Sequence, residues 1–195
     1  MNLFERLADA QERWNVLRHP FYARWERGEL TTAELAYYAG EYRHAVVALA
    51  RQAQAAGAEH AAEEAAHVDL WDDFARAVEA DLRRAPRAET TECADAWTGG
   101  ADRLERLAVL YAIESAQPAI SETKLVGLVE HYGFGADDPS TAYFAVHARR
   151  DLEHADESRA ALAAEATEGD VDRLVAAAEA ALRGNWRLLD GVEAA

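Results

Sequence analysis

Only four prolines and eleven glycines interrupt 195 residues, and they are scattered along the chain. Between them alanine, leucine, glutamate and arginine dominate, residues that lose little free energy on entering a helix. No segment alternates apolar and polar residues with period two, so no strand pattern competes. The chain is expected to be all-α. The apolar periodicity and breakers predict helices over roughly residues 2–17, 20–28, 32–56, 58–84, 101–133, 140–166 and 170–192. Thr31 with Glu34 predicts a capping box, and Asp138-Pro139-Ser140 a helix start. Pro118 falls inside the fifth of these helices, where the missing N–H predicts a kink beside Glu114. The expected architecture is a seven-helix bundle forming one domain over residues 1–195, with no repeat or linker.

Composition and charge narrow the function classes. Half of the residues are apolar, enough for a sizeable core, and the net charge is −16. That charge repels phosphate backbones and anionic lipid, so neither nucleic acid nor a membrane surface is an expected partner. The sequence holds no run of about 18 uncharged apolar residues and no charged-then-apolar leader, which points to the cytoplasm. The lone Cys93 stands in the polar stretch TTECADAW and offers neither a disulfide nor a thiolate cluster.

The chemistry is carried elsewhere. In AVHARRDLEHADES, His147, Asp151 and His154 are separated by four and then three residues. On a helix those spacings stack all three on one face. Two imidazoles and a carboxylate suit ferrous iron or another borderline divalent metal. AEHAAEEAAHVDLW brings Glu64 and His67 three apart, with His60 two turns before His67. In YAIESAQPAI, Glu114 interrupts an apolar surface, where a bare carboxylate is costly unless it is protonated, metal-bound or paired with an arginine. Acidic, histidine-rich helix faces are commonly just solvated, a reading that stands for Glu64 and His67 taken alone. Facing helices that supply Glu and Glu-x-x-His build carboxylate-bridged dinuclear sites. Glu64, His67, Glu114, His147, Asp151 and His154 could together hold two divalent ions and leave positions open for oxygen.

The His-x3-Asp-x2-His triplet, the upstream helical Glu and the Glu-x-x-His helix resemble the haem-oxygenase-like di-iron oxidases. HPFYARWERGELTTAELAYYAGEYRH is similar to the N-terminal region of that family and of its pyrroloquinoline-quinone synthase and TenA-type relatives. HVDLW, ESAQPAISETKLVGLVEHYGF and AYFAVHARRDLEHADES follow in family order, so the likeness spans about residues 10–190. It implies two irons, or manganese or a mixed pair, with dioxygen as co-substrate, an external electron donor and a homodimer. Within the family the chain most resembles the chlamydial type that makes para-aminobenzoate for folate from its own side chains. That likeness places Tyr22 at the sacrificed tyrosine, Lys124 at the lysine implicated in amination, and Tyr38 at a second tyrosine near the site. Lys124 is the single lysine in a chain with nineteen arginines, and arginine cannot act as an amine.

Two positions depart from the family pattern. His60 stands where the family often places its first glutamate, so Glu64 is assigned with Glu63 and His60 as alternates. Ile113 stands where an aromatic residue precedes the central glutamate. Other readings are oxidation of an external amino acid or fatty acid, a TenA-type thiamine-salvage hydrolase, and a non-catalytic helical binding module. The hydrolase needs a core cysteine, for which Cys93 stands in the wrong kind of segment. A haem ligand could be sought in His19, which is better read as a cap for the helix after Pro20.

Overall fold

The computed structural model describes residues 2–195 of the chain. They form nine α-helices joined by short turns: α1 (Leu3–Arg13), α2 (Pro20–Glu26), α3 (Thr32–Ala56), α4 (Ala61–Ala77), α5 (Ala88–Trp97), α6 (Arg103–Glu114), α7 (Gln117–His131), α8 (Ala142–Glu165) and α9 (Val171–Glu193). The all-α expectation holds, and the seven-helix count does not. The fifth helix splits into α6 and α7, and α5 lies in a stretch left unassigned from the sequence. No described helix is long and apolar enough to cross a membrane.

Local chemistry sets most boundaries. Asn2, Thr31 and Asp102 each accept a hydrogen bond from a backbone N–H in the first turn of the helix that follows, removing an orphan donor. At Thr31 the expected capping box forms with Glu34. α3 ends at Gly57, whose φ of 67° is open to glycine without strain. α4 stops seven residues short of its expected end because Glu79 turns left-handed at φ 59°. The Ala80 and Glu79 N–H groups then close back on the Ala75 and Arg76 carbonyls, a Schellman ending.

Pro118 does more than kink. A continuous helix would need its N–H on the Glu114 carbonyl, which proline cannot supply. The chain leaves helical bonding at Ser115 and Ala116, and Pro118 sits in the first turn of α7, where its missing donor costs nothing. Glu114 is thus the last residue of one helix, and Gln117 the first of the next.

α3 runs through the middle, packed on α4 and α5; α9 closes the opposite side against α1, α5 and α6; α8 lies against α6 and α7. Trp25, Trp71 and Trp97 are fully enclosed, and the indole N–H of each donates to a backbone carbonyl, Lys124, Ala39 and Ala181 respectively. Trp25 and Trp71 are core residues, as their helical spacing predicts. Trp25 lies so close to α7 that a Cβ at Gly127 would stand 2.5 Å from its Nε1. Cys93 is buried on α5 among apolar neighbours, contrary to its polar sequence context, and burial pushes its thiol far up. The side chain of His19 accepts from the Phe21 N–H and caps α2 as expected.

Candidate functional site

The six residues singled out from the sequence converge between α4, α6 and α8. Glu64, His67, Glu114, His147, Asp151 and His154 are all buried. A seventh, His60, joins them from the turn before α4, so the helix expected from residue 58 begins only after it. The alternates separate: Glu64 and His60 lie within the cluster, whereas Glu63 is exposed and reaches its edge, 3.0 Å from Arg150.

Donor atoms gather in overlapping groups. Glu64, His67 and His147 form one; Glu64, Asp151 and His154 a second; His60, Glu114 and His154 a third, each with its ligand atoms within 4.8 Å of one another. Glu64 links the first two groups and His154 the last two. The Glu64 carboxylate lies 3.2 Å from His67 Nδ1 and 3.4 Å from His154 Nδ1. Glu114 Oε1 is 2.8 Å from His60 Nε2, and Ser158 Oγ donates to its other oxygen at 3.4 Å. The rings of His60 and His154 stack at 3.9 Å. No lysine or arginine pairs with Glu64, Glu114 or Asp151 among the described residues, so the arginine partner considered for Glu114 is replaced by histidine.

Protonation follows from burial and neighbours. Burial opposes the charge on Glu64, but the adjacent imidazoles of His154 and His67 outweigh it and hold the carboxyl well below its usual range. Asp151 lacks such help; burial, then Glu64 and Glu114, push it up to about 9. Burial pushes His147 down to about 4. Its Nδ1 lies 2.7 Å from the Tyr143 carbonyl, which can only accept, so Nδ1 carries the proton and the lone pair of Nε2 is free. Burial opposes a proton on His60 as well, but Glu114 and then Glu157 overcome it and raise the imidazole to about 9.

The donor set fits a metal centre. His67 Nδ1, His147 Nε2, His154 Nδ1 and both Asp151 oxygens are buried without a hydrogen-bond partner, whereas buried polar atoms are normally satisfied. Imidazoles and carboxylates in this ratio suit iron, manganese or zinc. The residues present are those that such an ion would use.

A second buried group adjoins the cluster. Lys124 is completely enclosed, has no hydrogen-bond partner, and is pushed down by burial to about 7. Its Nζ lies 4.2 Å from the centre of the Tyr42 ring, 5.5 Å from Tyr38 and 5.9 Å from Tyr22. Tyr22 and Tyr38 are buried, and burial pushes both phenols up. An aromatic path joins this chamber to the metal-binding residues: Tyr42 to Trp71 at 5.0 Å, Trp71 to Tyr143 at 4.9 Å, and Tyr143 stacked on His147 at 3.9 Å. Tyr42 and Tyr143 went unnoticed in the sequence because aromatic residues at helical spacing usually mean core. The spacing of four between Tyr38 and Tyr42 was the available signal.

Residues 28–186 match the family model described as an iron-containing redox enzyme. The chain belongs to this iron-containing redox enzyme family. Among its relatives is the 4-aminobenzoate synthase of Chlamydia muridarum, 28% identical over 97% of this chain and 89% of that protein. The 4-aminobenzoate synthase of Nitrosomonas europaea is 30% identical over 98% and 91%. Among solved structures, a domain of unknown function with a heme oxygenase-like fold from Shewanella denitrificans superposes with a TM-score of 0.79, at 23% identity over all of this chain and 93% of that one. A TenA homologue from P. horikoshii gives 0.75, at 15% identity and 98% coverage of both. The iron-containing redox family thus has here the haem-oxygenase-like fold that the sequence resembles.

Proposed function

We propose that the chain is a dinuclear iron oxidase that uses dioxygen to make 4-aminobenzoate from its own Tyr22, with Lys124 as nitrogen source. Similarity to 4-aminobenzoate synthases over nearly the full chain supports the product. The observation that carries the reading is the juxtaposition in one core of a histidine–carboxylate cluster without lysine or arginine partners and a buried amine among tyrosines. In this reading Glu64, His67 and His147 hold one iron, and His60, Glu114 and His154 the other, with Asp151 beside the second. Bound iron would supply the electron transfer to dioxygen that side chains cannot.

The protein's own part is proton placement and enclosure. His147 keeps its proton on Nδ1, held by the Tyr143 carbonyl, which leaves Nε2 to ligate. Asp151, protonated near neutral pH when no cation is present, gives up that proton when a cation binds. The depressed Lys124 has a substantial neutral fraction at neutral pH, so its nitrogen lone pair is available. The phenol of Tyr22 stays protonated. Trp25, Tyr38 and Trp71 exclude water from the chamber.

The test is anaerobic loading with ferrous iron, exposure to oxygen, metal analysis of the native protein and His154→Ala, and mass spectrometry of Tyr22 and Lys124. About two irons per chain, lost in the variant, with mass missing at Tyr22, is the expected result. A second reading, oxidation of an external small molecule, is favoured by the amine lying nearer Tyr42 than Tyr22. Iron bound with Tyr22 and Lys124 intact would decide for it. Absence of iron would refute both.

A further inference from the structure

A pocket of about 300 Å³ opens where α6 gives way to α7, and none of the seven cluster residues lines it. Its walls are apolar, formed by Trp14, Trp97, Ile113, Ile120 and Leu182. Four carboxamides interrupt them: Gln11 and Asn15 are already hydrogen-bonded, to Ser115 and to the Leu17 N–H, and two others are not. Gln117, at the start of α7, is 1% exposed, and neither its amide nitrogen nor its oxygen has a partner. Asn185 of α9 adds a buried, unpartnered Oδ1. Even with the Tyr42 hydroxyl beside it, an enclosed carboxamide with hydrogen bonds left unmade is costly and uncommon, and a ligand that pairs with it recovers that cost.

The donors and acceptors specify the partner. A carboxamide offers an N–H donor beside a C=O acceptor, so it pairs in parallel with a molecule carrying the same two groups. A further N–H would meet Asn185 Oδ1. Glu12 is the one ionisable residue of the lining, so nothing there neutralises an anion. The volume suits a single ring with one polar substituent.

We infer that this pocket binds a small, uncharged, planar molecule bearing a primary amide or an equivalent paired N–H and C=O, and that Gln117 recognises that group. The location gives the site a use. Gln117 follows Glu114 by three residues, and its amide faces the Tyr42 hydroxyl, so the occupant would sit one side chain away from the Lys124 chamber. The inference concerns an external ligand and does not depend on iron.

Benzamide, benzoate and toluene are the probes, titrated separately by calorimetry into the 195-residue protein with and without added iron. The indole N–H resonances of Trp14 and Trp97 are followed in the iron-free sample. Benzamide is expected to bind once per chain, shift both resonances, and bind at least tenfold tighter than benzoate or toluene. Gln117→Leu, with helicity verified by circular dichroism, is expected to weaken benzamide at least tenfold, to the level of toluene. No saturable benzamide binding would overturn the inference. So would equal affinity for toluene or benzoate, or unchanged benzamide affinity in folded Gln117→Leu. If that variant does not fold, the selectivity of the native protein decides.

Discussion

Replacing Lys124 by methionine should stabilise the metal-free protein near neutral pH and lose that advantage in alkali. Methionine conserves the volume and removes the amine. Burial lowers the lysine from 10.5 to about 7, so between these values the unfolded chain binds a proton that the folded chain does not. Stability therefore rises with pH across this window. At about 1.36 kcal/mol per pH unit, the native state forgoes roughly 4 kcal/mol at pH 7 and almost nothing above pH 10.5. The aromatic faces work the other way. Tyr42 at 4.2 Å is the close one, while Tyr38 and Trp71 stand at 5.5 Å and Phe144 and Tyr22 at 5.8 and 5.9 Å, near the limit of useful cation–π attraction. One good desolvated contact is worth about 2 kcal/mol to the charged form. The net gain for Lys124→Met at pH 7 is then about 2 to 4 kcal/mol, or roughly 10 °C in Tm. Urea titrations of both proteins in chelator at pH 7, 8, 9 and 10 measure it, and differencing removes every other titrating group. A variant less stable than the native protein by the same amount at every pH would refute the reasoning and mean that burial does not govern the amine.

Three further outcomes follow from the same structure. Asp151→Asn should raise metal-free stability near neutral pH, by up to about 4 kcal/mol, because the native carboxyl holds a proton there that the unfolded carboxyl gives up and asparagine escapes that cost, yet abolish the rise in Tm that ferrous iron gives the native protein. The raised His60 contributes stability fully present below pH 6.5 and lost as pH rises through about 9. His60→Gln should remove that alkaline loss from the metal-free melting profile and lower stability at pH 6. Gly127→Ala should cost about 1 to 3 kcal/mol by driving a methyl into Trp25 and parting its indole from the Lys124 carbonyl, seen as a lower urea midpoint with an unchanged slope.

What the sequence disclosed tracks how locally each feature is encoded. His147, Asp151 and His154 lie on one uninterrupted helix, so spacings of four and three sufficed to put them on one face. α3 was legible to the residue, since Thr31 and Gly57 both signal in their own positions. α5 was not. AETTECADAW is polar, with two β-branched threonines, and its helix is secured by burying Cys93 and Trp97 against α9, a tertiary effect that composition does not carry. His60 stood with Glu63 as an alternate to Glu64 because it precedes its helix, where periodicity says nothing of direction. Glu114 was recognisable as an isolated charge among apolar residues, but its partners come from 54 and 44 positions away. The Pro118 break was half visible, since proline announces a defect without saying whether the chain bends or restarts.

The three donors on α8 span residues 147 to 154 on one face, and nothing between them interrupts the helix. Each added residue would turn the C-terminal part of a helix by about 100° relative to the rest. One alanine inserted after Arg149 would therefore swing His147 away from Asp151 and His154, whereas the same insertion after Leu162 leaves all three aligned. The cluster is thus tolerant of length changes only beyond its own span, and a relative with one residue inserted here keeps Asp151 and His154 on a common face but not His147 with them.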